Sequence, residues 1–155
     1  MVYEFAFGLT VYFDTPVENQ LRSFMQLAGF SLESGGILIG RIKPLSHSII
    51  VTDMTYPQQC DKRAANRFSR KQSGHQKIMD DLWEASGYEK MYLGEWHTHN
   101  TPIPAPSKLD IREWKKATSR HHNTPFVLFL IVGKREARLW TINAEELQVA
   151  KEVQR

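Results

Sequence analysis

The sequence has few of the features that would place a protein outside the ordinary globular class. Its single cysteine, Cys60, excludes an internal disulfide, and this favours a cytoplasmic location. It has no run of 18 or more apolar residues, so it predicts no membrane-spanning helix. The first five residues lack a basic stretch followed by an apolar one, which argues against a secretory signal. We therefore expect one cytoplasmic domain over residues 1–155, with no membrane partner.

An excess of charge of one sign is also missing, except at one place. The formal net charge is only +3. Residues 61–71 carry five basic side chains and one acidic one, a net charge of +4, which leaves −1 for the rest of the chain. A nearly neutral chain with one basic segment is not typical of a nucleic-acid-binding protein, so we expect no nucleic-acid partner.

Hydrophobic periodicity and turn residues predict an alternation of strands and helices. Strands are predicted at 2–13 (one or two), 36–43, 48–55, 66–70, 91–97, 126–132 and 137–142. Helices are predicted at 17–28, 72–86, 107–120 and 144–153. Residues 57–65 and the proline-rich 100–106 are expected to be irregular. This alternation predicts an α/β or α+β sandwich around one sheet.

Two histidines and one aspartate within fourteen residues predict a metal site. His97 and His99 are two apart on a predicted strand, so both side chains point to the same face. Asp110 lies in the first turn of the next predicted helix and offers an oxygen ligand. Two imidazoles and a carboxylate suit a zinc ion that keeps one position for water, although ligand type alone leaves other divalent metals open.

A hydrolytic metal site also needs a general base, and two glutamates are candidates. Glu33 precedes a strongly apolar strand, beside glycines that allow close backbone approach. Glu95 shares strand parity with His97 and His99, so it is either a rival base or a fourth ligand. Ser107 fits a helix N-cap three residues before Asp110, an arrangement that positions this carboxylate without preventing coordination.

Together these residues resemble the JAMM motif of the JAB/MPN metalloprotease family. The matching elements are Glu33 with Gly36-Ile37-Leu38-Ile39-Gly40, then His97-Thr98-His99, then Ser107-Lys108-Leu109-Asp110, and the similarity extends over roughly residues 4–143. Gly94 and Trp96 also match the glycine and the aromatic residue that members of this family commonly have before the histidines. Asn100 departs from the proline that many members have there, but it removes no catalytic group.

The resemblance implies a fold and a catalytic mechanism. The fold is an α/β sandwich of the MPN/JAB, cytidine-deaminase-like type, with a curved mixed sheet flanked by helices. The family's catalytic groups imply one zinc ion per chain held at His97, His99 and Asp110, and Glu33 as the general base. They also imply that Ser107 stabilises the oxyanion. With every motif element present, the resemblance favours an active zinc metalloprotease over a member that has lost the motif.

The same resemblance suggests which amide bond is cleaved. The short chain looks most like prokaryotic isopeptidases of CBASS anti-phage operons, which cleave the bond after the C-terminus of a cyclic-nucleotide synthase conjugated to a target. We therefore expect a protein substrate with an extended C-terminal tail, either such a conjugate or a ubiquitin-like protein. Processing of sulfur-carrier or ubiquitin-like precursors is one alternative, and a non-enzymatic MPN binding module is another.

The basic segment 61–71 has a functional and a structural interpretation. Inserts at this place flank the substrate groove in the resembled family, which favours Arg63 and Arg67 as a dock for an acidic partner. A solvated surface loop is the alternative.

Overall fold

A computed structural model describes residues 1–27, 32–121 and 124–153 of the chain. Its three α-helices are α1 (Thr15–Leu27), α2 (Gln72–Ala85) and α3 (Lys108–Arg120). Its strands are β1 (Val2–Glu4), β2 (Thr10–Phe13), β3 (Gly35–Lys43), β4 (Ser48–Met54), β5 (Lys62–Ala64), β6 (Arg67–Ser69), β7 (Met91–Thr98), β8 (Leu128–Val132), β9 (Ala137–Asn143), β10 (Glu146–Val149) and β11 (Lys151–Glu152). None of the helices described is long and apolar enough to cross a membrane.

Nine of the strands form one mixed sheet in the order β10-β9-β8-β7-β3-β4-β2-β1-β11. The β2–β4 and β7–β8 pairs are parallel, and the other pairs are antiparallel. Strands β10 and β11 are consecutive in the chain yet pair with opposite edges of the sheet, so the two edges meet at Ala150. The sheet is therefore strongly curved and almost closed on itself, which leaves little free edge for unwanted pairing.

The inner face of the sheet holds the main core, and α1 covers it. Val17 and Leu21 of α1 are buried against side chains from almost every large strand. The helices α2 and α3 lie on the outer face, where Met79 of α2 packs with Ile37 and Ile39. The curved mixed sheet with flanking helices that the resemblance implied is confirmed.

Strand β7 lies between β8 and β3 in the sheet and carries site residues on its outer face. Trp96 and Thr98 are buried, whereas Glu95 and His97 are only partly buried and face outward. Gly94 lies where β7 approaches β8, at a φ of 154°, and a Cβ there would be 1.9 Å from the Leu128 carbonyl oxygen. Only glycine tolerates both that backbone and that contact.

The chain after β9 differs from its prediction. A helix over 144–153 is wrong, because this segment forms β10 and β11. Ala144 and Glu145 both have positive φ, 49° and 66°, and form the two-residue turn of a β9–β10 hairpin. The helix-favouring composition of the segment is overridden by pairing with both edges of the sheet.

Two smaller differences concern the segment 57–65 and the first helix. Residues 57–65 were expected to be irregular, but β5 lies within them and pairs with β6 as a separate two-stranded hairpin. This β5–β6 hairpin has only three residues in each strand, too short for a periodic signal. The predicted helix 17–28 begins earlier, at Thr15, and its last residue lies outside the described part of the chain.

Candidate active site

The side chains of His97, His99 and Asp110 converge at one point. The Nε2 atoms of the two histidines are 3.0 Å apart. The Asp110 Oδ1 atom is 3.3 Å from His97 Nε2, and the Asp110 Oδ2 atom is 3.4 Å from His99 Nε2. Within the described residues, this is the cluster of three His, Cys, Asp or Glu side chains whose ligand atoms come together closely enough for a metal ion.

The spacing of these three side chains fits a tetrahedral zinc ion. Ligand atoms at ~2.0–2.1 Å from zinc in a tetrahedron stand about 3.3 Å from one another. The observed separations of 3.0–3.4 Å are close to that value, with Asp110 facing each histidine through a different oxygen. One ligand atom from each of the three residues lies within 4.8 Å of the other two. Two nitrogens and one oxygen are also a donor set that zinc accepts while leaving a fourth position for water or substrate.

Local backbone structure orients the two histidines. His97 lies in β7, and His99 follows it by two residues, so both rings face the outer side, as predicted. Thr98, between them, points inward and donates its backbone N–H to the Ser34 carbonyl oxygen at 2.8 Å. The His99 N–H donates to Val132 at 2.9 Å, which keeps the chain aligned with β8 beyond the end of β7.

Helix α3 presents Asp110 through a capping box. The Asp110 backbone N–H donates to Ser107 Oγ at 3.1 Å. In return, Asp110 Oδ2 accepts from the Ser107 backbone N–H at 2.7 Å and from the Ser107 hydroxyl at 2.6 Å. The predicted N-cap is confirmed, and it orients the carboxylate toward the histidines.

The electrostatics of the cluster keep Asp110 ionised. Burial raises the pKa of Asp110, but hydrogen bonds from His97, His99 and Ser107, with the charges of the histidines, hold this pKa well below its usual range. Burial lowers the pKa of His99, yet the neighbouring Asp110 and Glu33 carboxylates raise it overall. The Asp110 carboxylate is therefore ionised, and it can accept hydrogen bonds or bind a metal ion at physiological pH.

Glu33 is almost wholly buried, 6% exposed, and lines the same cavity as the histidines and Ser107. Its pKa is raised, mainly by burial, while the charges of His97 and His99 oppose the rise and Asp110 adds to it. The backbone N–H of Phe68 hydrogen-bonds to its carboxyl group. We call His97, His99 and Asp110 the metal-type cluster. A buried carboxyl group with a raised pKa beside this cluster has the properties of a general base.

Glu95 is placed differently from the other candidate groups. It shares the outer face of β7, as predicted, but its Oε1 atom accepts from Arg70 Nη2 at 2.6 Å and from the Tyr92 hydroxyl at 3.4 Å. It is not part of the metal-type cluster formed by His97, His99 and Asp110 in the described chain. Its carboxylate is instead engaged in the ion pair with Arg70.

A groove of about 850 Å³ contains the cluster. Strand β7 forms its floor, the β5–β6 hairpin one wall and α3 the other, from Asp110 in the first turn to Arg120 in the last. Arg67 and Phe68 line the hairpin wall. The cluster of His97, His99 and Asp110 therefore lies in a groove between the hairpin and α3.

The two arginines singled out in the basic segment have different surroundings. Both side chains are exposed, and Arg67 lines the groove. The Arg63 guanidinium instead donates to the carbonyl oxygens of Leu32 and Glu33 at 3.1 and 2.9 Å, and to Ser34 Oγ at 2.6 Å. Sequence reasoning missed these contacts, because no local spacing links an arginine to a segment thirty residues earlier.

Comparison with known proteins identifies the family. The family described as prokaryotic homologs of the JAB domain matches residues 16–143. A CD-NTase/cGAS isopeptidase from Escherichia coli is 36% identical over 77% of this chain and 74% of its own. One from Vibrio cholerae is 32% identical over 89% and 85%, and one from Pseudomonas aeruginosa is 32% identical over 80% and 77%.

A solved structure shows the same fold. The solution structure of a protein from Desulfitobacterium hafniense is similar with a TM-score of 0.62 over 90% of this chain and 88% of that one, at 20% identity. The matched residues 16–143 include His97, His99 and Asp110. The chain belongs to the family of prokaryotic homologs of the JAB domain.

Proposed function

We propose that this protein is a zinc-dependent isopeptidase of a CBASS system. Its substrate would be the amide bond that follows the C-terminus of a CD-NTase conjugated to a target. The observation that carries the proposal is the convergence of His97, His99 and Asp110 in a groove that also contains the buried Glu33. The relatives named CD-NTase/cGAS isopeptidase support the choice of substrate class.

His97, His99 and Asp110 would hold the metal. When bound, zinc supplies Lewis acidity, which polarises an amide carbonyl and lowers the pKa of a water molecule toward neutrality. Glu33 accepts a proton from the attacking water and returns it to the leaving amine nitrogen, so that water is added across the C–N bond. Burial raises the pKa of Glu33 and brings it closer to the range in which one group can do both.

Ser107 would donate a hydrogen bond to the oxyanion that develops on the carbonyl oxygen. Its hydroxyl points to Asp110 Oδ2 at 2.6 Å, but a hydroxyl hydrogen rotates about the C–O bond and can turn to the substrate. The serine is then both a helix cap and a catalytic donor, as the resemblance implied.

Replacing Ser107 should separate these two roles. Ser107→Ala is expected to lower kcat by ~10²–10³-fold through loss of the donor. It should also lower the free energy of unfolding by about 1 kcal/mol through loss of the cap. Ser107→Gly loses the same hydroxyl at only a few tenths of a kcal/mol in capping, and Ser107→Thr keeps the hydroxyl. Equal kcat values for Ser107→Gly and the wild type would exclude the catalytic role. Urea unfolding of each variant would measure the loss of stability.

The tail of the substrate would lie extended in the groove, between the β5–β6 hairpin and α3. The hairpin strands form a small sheet of their own beside the groove. Pairing of an extended tail with such a strand would supply main-chain hydrogen bonds that need no particular sequence. We assign the docking of an acidic partner to Arg67, since its side chain is exposed at the groove.

Charge reversal at Arg67 tests the docking role. Arg67→Glu should raise KM for a protein conjugate about three- to tenfold at low ionic strength, with a smaller effect in high salt. A short peptide amide should be cleaved as by the wild type. The control is Lys43→Glu, because Lys43 is also an exposed basic residue and lies at the far end of β3. A similar loss on both substrates would contradict the docking role.

A panel of C-terminal fusions tests the substrate class. Each would join a reporter to the tail of a CD-NTase, a ubiquitin-like protein or a sulfur carrier, and cleavage would be measured at equal concentrations with zinc present. We expect preferred cleavage of the CD-NTase fusion. Preference for the carrier tails would instead assign precursor processing. A protein that is purified without chelator, binds no zinc and cleaves nothing would be a binding module.

A further inference from the structure

The β5–β6 hairpin packs against one side of the segment that carries Glu33. The Glu33 backbone N–H donates to the Ala64 carbonyl oxygen at 2.8 Å, and the Phe68 N–H hydrogen-bonds to the Glu33 carboxyl group. The Phe68 ring lies directly against Gly35, where a Cβ would come within 2.5 Å of the ring. The hairpin therefore contacts the backbone, the carboxyl group and the following residue of the proposed base.

Arg63 supplies the largest number of these contacts. Its Nε atom donates to the Glu33 carbonyl oxygen at 2.9 Å, and its Nη2 atom donates to Leu32 at 3.1 Å and to Ser34 Oγ at 2.6 Å. Leu32 and Glu33 precede β3, where carbonyl groups need donors from outside the sheet. The planar fork of a guanidinium can satisfy three acceptors at once, which a lysine ammonium on a flexible stem does poorly.

The opposite side of the same segment is held by the histidine strand. The Ser34 backbone N–H donates to Thr98 Oγ1 at 2.9 Å, and the Thr98 N–H donates back to the Ser34 carbonyl oxygen at 2.8 Å. Thr98 lies between the two histidines, so this side sets the distance of the Glu33 segment from His97 and His99. Arg63 holds the same segment from the hairpin side through its three hydrogen bonds.

The chain where the hairpin begins is itself fixed by hydrogen bonds, so the backbone that carries Arg63 has a defined position. Asp61 accepts hydrogen bonds from the backbone N–H groups of Gln58 and Lys71, both at 2.7 Å, and is 2.9 Å from His75 Nε2. The fully buried His75 contacts Thr55 Oγ1 through Nδ1 at 2.6 Å. A satisfied buried network of this kind is rigid and ties the hairpin to the end of β4.

We infer that Arg63 is a positioning residue that holds the Glu33 carboxyl group at the metal-type cluster. It acts through the backbone of residues 32–34 and does not dock a partner. The inference rests on the proposed function, in which Glu33 is the general base. A misplacement of about 1 Å at a reacting group costs on the order of 10²-fold in rate, so loss of Arg63 should lower kcat by about 10- to 100-fold.

Three variants test the inference on the full-length protein, with the CD-NTase tail fusion as substrate. Arg63→Ala should lower kcat about 10- to 100-fold, with KM within about twofold of the wild-type value and one zinc ion per chain. Arg63→Lys should have a kcat between those of Arg63→Ala and the wild type, because a single ammonium group can replace only some of the hydrogen bonds of the guanidinium. Lys62→Ala removes one charge from the neighbouring exposed position of the same strand and should leave kcat as in the wild type.

Hydrogen exchange gives a readout that does not depend on turnover. In Arg63→Ala, the amide of Glu33 should exchange at least about tenfold faster, since its bond to Ala64 loses its neighbouring support, while the amide of Ile39 inside β3 keeps its protection. If no fusion is cleaved even by the wild type, the proposed function fails, and this exchange measurement still decides whether Arg63 holds the segment.

Several outcomes would overturn the inference. An unchanged kcat in Arg63→Ala would exclude a positioning role, and a change confined to KM would make Arg63 a docking residue. A fall in kcat together with loss of zinc or of core protection would show only general destabilisation. If Arg63→Ala does not fold, Arg63→Lys decides: a wild-type kcat with faster Glu33 exchange would contradict the inference.

Discussion

Glu33→Gln is expected to lower kcat by ~10²–10⁴-fold while the protein retains one zinc ion per chain and its affinity for the substrate. The amide has the shape of the carboxyl group, so the buried site stays filled, but it cannot accept and return a proton. Because Glu33 is not one of the three converging side chains proposed to hold zinc, zinc content should not change. Single-turnover kinetics with the CD-NTase tail fusion would measure the rate of cleavage and the affinity for the substrate. Mass spectrometry would measure the zinc content.

Glu95→Gln is the matched comparison for this experiment. Both glutamates line the groove, but Glu95 is paired with Arg70 at 2.6 Å. We expect a far smaller decrease in kcat from Glu95→Gln than from Glu33→Gln. The reverse order would transfer the role of general base to Glu95 and would leave Glu33 as a structural carboxyl group.

His99→Ala should abolish both zinc binding and turnover. Removal of one of three protein ligands leaves a histidine and a carboxylate, too few to hold zinc against dilution or a weak chelator. The wild type should also be stabilised by added zinc, by about 4 kcal/mol when free zinc is 1,000-fold above its Kd, and His99→Ala should lose this gain. Zinc content after gel filtration and thermal unfolding with and without zinc would measure the two effects.

The control for His99→Ala is another histidine outside the cluster. His47 is exposed and adopts a left-handed backbone conformation with a φ of 48°, so His47→Asn keeps the local geometry. This variant should bind one zinc ion and respond to added zinc as the wild type does. Full zinc occupancy in His99→Ala would contradict the proposed ligand set.

The elements predicted from the sequence are those with strong local patterns. The apolar strands near β3, β4 and β8 and the helix after Ser107 occur where periodicity and capping residues predict them. The failures occur where tertiary pairing opposes local preference. Residues 146–152 favour a helix by composition, yet they form the two strands that join the edges of the sheet, because those edges would otherwise leave backbone groups unpaired.

The candidate site divides in the same way. That His97 and His99 share a face follows from the two-residue period of a strand, and the orientation of Asp110 follows from the capping box with Ser107. Both relations involve neighbours in the chain, so the sequence determines them. The distance between Glu33 and the histidines depends instead on the pairing of β3 with β7, sixty residues apart, which the family motif indicates and local pattern does not.

By itself, therefore, the sequence determined the chemistry of the groups: two imidazoles and a carboxylate in one local arrangement, with an acid and a serine of the right type. Only the tertiary structure decided how the remaining charged side chains are used. Arg63 and Arg67 are equivalent in a basic segment and both stay exposed, but the folded hairpin directs the Arg63 guanidinium to the backbone at Glu33 and places Arg67 at the groove. The physical reason is that a hydrogen bond depends on the position of its acceptor, and residues far apart in the chain acquire defined relative positions only when the sheet and its anchored hairpin are formed.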